Sequence, residues 1–197
     1  MLPKFALDIT HFLVHQKVIN EEDVRVYAYG MELVLSTAIN IVIILMIALL
    51  FNCYIEILLF LAPFFIFRQL IGGYHAETHF KCSLLMIFML LSYMALLNYI
   101  KLFSSTYLVI FLVSVSFLLN HFLAPAEHPN KPLSFDDISR LRREANTAFL
   151  VFLCIIIFFI ATHRIESASL ISVGLFVSSA VMLIGKLVYS KTLNINK

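Results

Sequence analysis

The polar residues of this chain fall in clusters, and the stretches between them are almost wholly apolar. Six such stretches stand out, at about 31–51, 53–67, 83–102, 106–123, 147–162 and 168–189. A helix that crosses the hydrocarbon of a bilayer needs roughly 20 apolar residues, within roughly 17–25. The second and fifth stretches are short by that measure. None alternates apolar and polar residues as a barrel strand does, and only helices and closed barrels satisfy their backbone within lipid. The pattern predicts an all-α integral membrane protein with about six transmembrane helices. The first two are joined by almost nothing, which predicts a helical hairpin, and Pro63 lies inside the second. Residues Leu2 to Tyr29 read differently. Phe5, Ile9, Phe12 and Leu13 recur at helical spacing with polar residues between them. This predicts an amphipathic N-terminal helical segment that lies in the membrane interface or packs on the protein's own loops. The chain thus divides into an N-terminal segment, 1–30, and a six-helix domain, 31–197. That domain carries two polar segments, 68–82 and 124–146.

Composition agrees. Of 197 residues, 61% are hydrophobic and 13% charged, and the mean hydropathy is +0.96. Soluble domains sit nearer 45–50% apolar, so a soluble fold of this size would expose large apolar patches. Five Gly and five Pro leave no room for a low-complexity reading. Trp is absent, so the eight Tyr must supply the aromatic anchors at the interface. A formal charge of +2, with no basic patch interleaved with aromatics, argues against nucleic acid. Asp8, Glu21, Glu22 and Asp23 and the lack of a long apolar core argue against an N-terminal signal peptide.

Charge also orients the spans. With both termini inside, only Lys101 and Arg164 of the fourteen Lys and Arg fall in outer loops, which leaves twelve facing the cytoplasm. The opposite orientation inverts that ratio. A multi-pass protein of the cell membrane follows, with 68–82 and 124–146 on the cytoplasmic face. In the second segment Ser134 can cap a short helix whose first turn holds Asp136 and Asp137. Arg140, Arg142 and Arg143 sit late in that helix, near anionic headgroups or an acidic peptide tail.

The first polar segment reads RQLIGGYHAETHFKC, from Arg68 to Cys82. Ionisable residues at a membrane boundary are costly and usually functional. A Cys attacks as the thiolate and needs a base or positive surroundings. His75 and His79 are both candidates for that base. His75 and Cys82 share a helix face, but a straight helix would hold their backbones about 10.5 Å apart. A break at Gly72-Gly73 would let His75 fold back, because glycine tolerates such conformations. His79, three residues from Cys82, suits an unbroken helix instead. Geometry alone does not choose between them. The plain alternative is an inert interface thiol beside two solvated His. A zinc reading is weaker. His75, His79 and Cys82 have usable spacing, but HAETH is not HExxH, and the deaminase pattern needs a PCxxC that is missing. No metal and no cofactor is called for. Cys53 and Cys154 lie in apolar stretches and read as small core residues.

The order Arg68, Gly72-Gly73, His75-Ala76, Cys82 resembles the active-site motif of the accessory gene regulator B family, membrane cysteine endopeptidases of Gram-positive quorum sensing. The likeness extends to the number of spans and to a loop with Ala124-Pro125 and Pro129-Asn130-Lys131-Pro132. The resemblance implies that His75, not His79, is the base and Cys82 the nucleophile. It implies that the substrate is an AgrD-like precursor peptide, cut before its C-terminal tail through an acyl-enzyme and then cyclised. Arg68, Gly72 and Gly73 are expected to support the site or the substrate. The other partner is the lipid bilayer, and a homodimer is compatible with the sequence. The competing expectation is a peptide exporter subunit without proteolytic activity. Against it, the spans hold few charges besides Glu32 and Glu56, and paired broken half-helices are not evident.

Overall fold

The computed structural model describes residues 2–72, 79–126 and 134–195, with the side chains of residues 2, 79–82 and 189–195 outside the description. All its regular elements among those residues are helical. They are α1 (Leu2–His15), a 3-10 turn (Glu21–Asp23), α2 (Val24–Phe51), α3 (Tyr54–Ile71), α4 (His79–Leu102), α5 (Thr106–Leu123), α6 (Phe135–Ala161) and α7 (Ile165–Ile195). Among the described residues six helices, α2 to α7, are long and apolar enough to cross a membrane. The protein is therefore an all-α, multi-pass membrane protein.

Several boundaries differ from the sequence reading. The segment expected to be one amphipathic stretch from Leu2 to Tyr29 is divided. α1 ends at His15, Lys17 takes a left-handed φ of 57°, and the next long helix already begins at Val24. α3 runs four residues past the expected Phe67 and carries Arg68 in its last turn. The short helix expected after Ser134 and the span expected from Thr147 are one helix of 27 residues. No Gly or Pro lies between Asp136 and Ala161 to interrupt it. Its start is as expected: the Ser134 side chain accepts the Asp137 N–H at 3.1 Å, and Asp136 and Asp137 occupy the first turn.

The chain forms two compact units, one of residues 1–52 and 76–93, the other of 53–75 and 94–197. In the first, α1 packs on α2, and the hydroxyls of Ser36 and Ser83 meet at 3.1 Å. The α1 face bearing Ala6 and Thr10 is buried, while Phe5 and Phe12 remain exposed.

The second unit is built around α7, the most buried of the spans, which packs against α3, α5 and α6. Its seam is lined by small polar residues. Ser169, Ser172, Ser178 and Ser179 are all buried, and three of them return their hydroxyls to the helix's own carbonyls. Small residues let helix backbones approach closely where lipid supplies no hydrophobic drive. Gly174 is the tightest point. A Cβ there would collide with the Phe60 carbonyl oxygen and lie 2.7 Å from Pro63 Cγ, so any side chain must push α3 and α7 apart. The end of α3 is held to α6 by rings: Phe67 meets Phe149 at 6.0 Å and Phe152 at 6.1 Å, centroid to centroid. At the other end of the unit Lys101 donates to Glu56 at 2.7 Å. Glu56 lies in the first turn of α3 and Lys101 in the last turn of α4. Each charge therefore also suits its own helix dipole.

Candidate active site

The expected site residues straddle a break between helices. α3 carries the sequence as far as Ile71 and stops there. Gly72, at its C-cap, has φ 72° and ψ −157°, a region open essentially to glycine alone. A Cβ at Gly72 would also stand 2.7 Å from the carbonyl oxygen of Ala126. Two independent reasons, conformation and space, therefore require glycine at this position. The break expected at Gly72-Gly73 begins at Gly72.

Arg68, one turn before the break, is half-buried, and its guanidinium lies over the Phe64 ring, 5.8 Å from the centroid. Gly73 and His75 lie outside the described residues. From His79 on the described chain is helical, and the backbone of Cys82 belongs to α4. The pairing of His75 with Cys82, and the choice between His75 and His79, fall outside the described residues.

The other two cysteines are accounted for. Cys53 is 4% exposed and donates to the Met94 sulfur at 3.7 Å. Burial pushes its thiol above the ordinary range, and the Glu56 carboxylate adds to the effect. It stays protonated at neutral pH and is a poor nucleophile. Its reading as a packed thiol holds. Cys154 corrects the companion expectation. It is exposed on α6 rather than packed in a core. In a span, an apolar neighbourhood in sequence equally describes a face turned to lipid.

The second polar segment closes on the first. After α5 the chain passes through a cis Ala124-Pro125 bond to Ala126. The Ala126 N–H donates to the Ile71 carbonyl at 2.9 Å. That carbonyl is one of the acceptors a helix leaves unpaired at its C-terminus. Two residues of the basic cluster expected to face headgroups or substrate, Arg140 and Arg142, have partners within the protein. Arg140 pairs with Asp137 at 3.1 Å and approaches Glu144 at 4.0 Å. Arg142 donates from Nε and Nη2 to the Ala124 carbonyl.

A family model described as accessory gene regulator B matches residues 6–184. An AgrB-like protein 2 of Clostridium perfringens (strain 13 / Type A) is 28% identical over 155 residues, 70% of this chain and 69% of the relative. An AgrB-like protein of strain SM101 of the same species is 26% identical over 155 residues, with the same coverage. No solved structure matches the chain.

Proposed function

The chain belongs to the accessory gene regulator B family, and from that membership we propose that it is a membrane cysteine endopeptidase acting on an AgrD-like precursor peptide. Membership supports a role in the agr quorum-sensing system. The observation that carries the finer reading is the break at Gly72. It ends α3 just past Arg68, before the sequence positions of His75 and Cys82.

In this reading His75 takes the proton from Cys82. The thiolate attacks the carbonyl of the peptide bond before the precursor's C-terminal tail. The carbon–nitrogen bond breaks, and His75 returns its proton to the departing amine of the tail. The rest of the precursor stays on Cys82 as a thioester. A thiol or hydroxyl of the peptide then attacks that thioester. Cys82 leaves as the thiolate, recovers a proton through His75, and the product is a thiolactone or lactone ring. A thioester suits this task because it keeps the acyl group activated for ring closure. The N–H groups near Gly73 are placed in sequence to receive the oxyanion. Arg68 is suited to orient a carboxylate of the precursor or the catalytic connection itself.

The deciding experiment is cleavage of purified precursor by purified protein in detergent micelles, with no sealed compartment. Tail release and a cyclised product are expected. No processing in micelles, with transport of intact precursor across the membrane of sealed vesicles, would favour the exporter reading.

The proposed site faces the cytoplasm, where the precursor is made. In a cysteine-free background, single cysteines replacing Lys101 and Arg164 are expected to react with an impermeant reagent added outside intact cells. One replacing Pro129 is expected to stay unlabelled. External labelling at Pro129 would overturn this orientation.

A further inference from the structure

Where α5 ends, the stretch from Leu123 to Ala126 is fastened to other elements of its unit by four hydrogen bonds. Lys186 on α7 donates from Nζ to the Leu123 carbonyl at 3.0 Å. Arg142 on α6 donates to the Ala124 carbonyl from Nη2 at 3.0 Å and from Nε at 3.3 Å. The Ala126 N–H closes on Ile71 at 2.9 Å. Ala124 and Ala126 are both buried, and the Ala126 carbonyl fills the place a Gly72 side chain would take. The last residue of α3 and the glycine that follows it thus rest on this short stretch. His75 lies three residues further along the chain.

Of the three fastenings, the one from Arg142 has the most directional force. A guanidinium presents its N–H groups in a rigid fork, and hydrogen bonds from a charged donor are roughly twice as strong as neutral ones. It grips the residue two places before Ala126. Without it, the contact of Ala126 with Ile71 and Gly72 is held less firmly, and Gly72, having no Cβ, has a wide conformational range to move into.

We propose that Arg142 is a positioning residue for the reaction: through the Ala124 carbonyl it sets Ala126 against Ile71 and Gly72, and so holds the end of α3 at Gly72, three residues before His75 in sequence. This rests on the His75–Cys82 reading above. Arg142 acts through backbone and takes no proton. Small misplacements of a catalytic group are costly, of the order of 100-fold for about 1 Å.

The test uses full-length protein in micelles with the full-length precursor. Arg142→Ala is expected to lower kcat roughly tenfold or more, with KM little changed. Arg142→Lys, which keeps one charged donor, is expected to recover part of the loss. Combining Arg142→Ala with Gly72→Ala is expected to cost little beyond the worse single change, since both act on one joint. A second readout needs no precursor: the pH dependence of Cys82 alkylation in a Cys53→Ser/Cys154→Ser background. Its midpoint is expected to rise towards the free-thiol value of about 8.5 in Arg142→Ala, because the thiolate loses its placed base. Wild-type kcat in Arg142→Ala overturns the proposal, as does a lowered kcat with an unmoved alkylation midpoint. If Arg142→Ala does not fold, the same two measurements on Arg142→Lys decide it. Cleavage by Cys82→Ala at the wild-type rate would defeat the cysteine mechanism on which the proposal rests. A dead Cys82→Ala beside a fully active Arg142→Ala would defeat only the role given to Arg142.

Discussion

Cys82→Ala is expected to abolish precursor cleavage, by at least about a thousandfold, while the protein still inserts and folds. Removal of a nucleophile leaves only what binding and oxyanion stabilisation can supply. Cys82→Ser is expected to be nearly as inactive. A serine hydroxyl has a far higher pKa than a thiol, and one His beside it does not make up the difference. The backbone of Cys82 lies in α4. Alanine at Cys53 is expected to leave cleavage intact. That thiol is buried against Met94 and held protonated. Tail release by Cys82→Ala at the wild-type rate, measured by mass spectrometry of the products, would refute a cysteine mechanism.

His75→Ala is expected to cost about 10²–10⁴ in kcat, the usual worth of a placed general base, while His79→Ala remains active. His79 lies three residues before Cys82, with its backbone in the same helix, α4. His75 comes three residues after Gly72, where α3 ends, and it is the His that the resemblance to the family motif implies as the base. The pH profile of kcat/KM gives a second measure, because loss of the base removes the acidic limb that its ionisation produces. An inactive His79→Ala beside an active His75→Ala would reverse the assignment.

Much of the fold could be read from the chain because lipid imposes simple rules. Apolar length marks a span, and the fourth span, Thr106–Leu123, has the limits its hydropathy indicated. The helix break was legible in Gly72-Gly73, and the cap in Ser134. Three features escaped. The continuity of α6 was hidden because its polar first half and apolar second half look like separate elements, although helix propensity does not fall between them. Cys154 was misjudged because hydropathy in a span does not separate a protein-facing side from a lipid-facing one. The fastening of Ala124 by Arg142 was invisible because a charged side chain on a basic helix was read by its charge. Its partner is a backbone carbonyl eighteen residues away, for which sequence gives no sign. Of the expected site, Arg68 and Gly72 are placed with their surroundings and Cys82 by its backbone, while the dyad itself is proposed from the motif.

The most direct measurement is capture of the acyl-enzyme. Purified protein is mixed with precursor, quenched in acid within the first turnovers, digested and examined by mass spectrometry. The peptide containing Cys82 is expected to carry the precursor without its C-terminal tail, through a bond that neutral hydroxylamine cleaves as it does a thioester. Tail release that proceeds with no adduct on Cys82, and that survives complete alkylation of that residue, would contradict it.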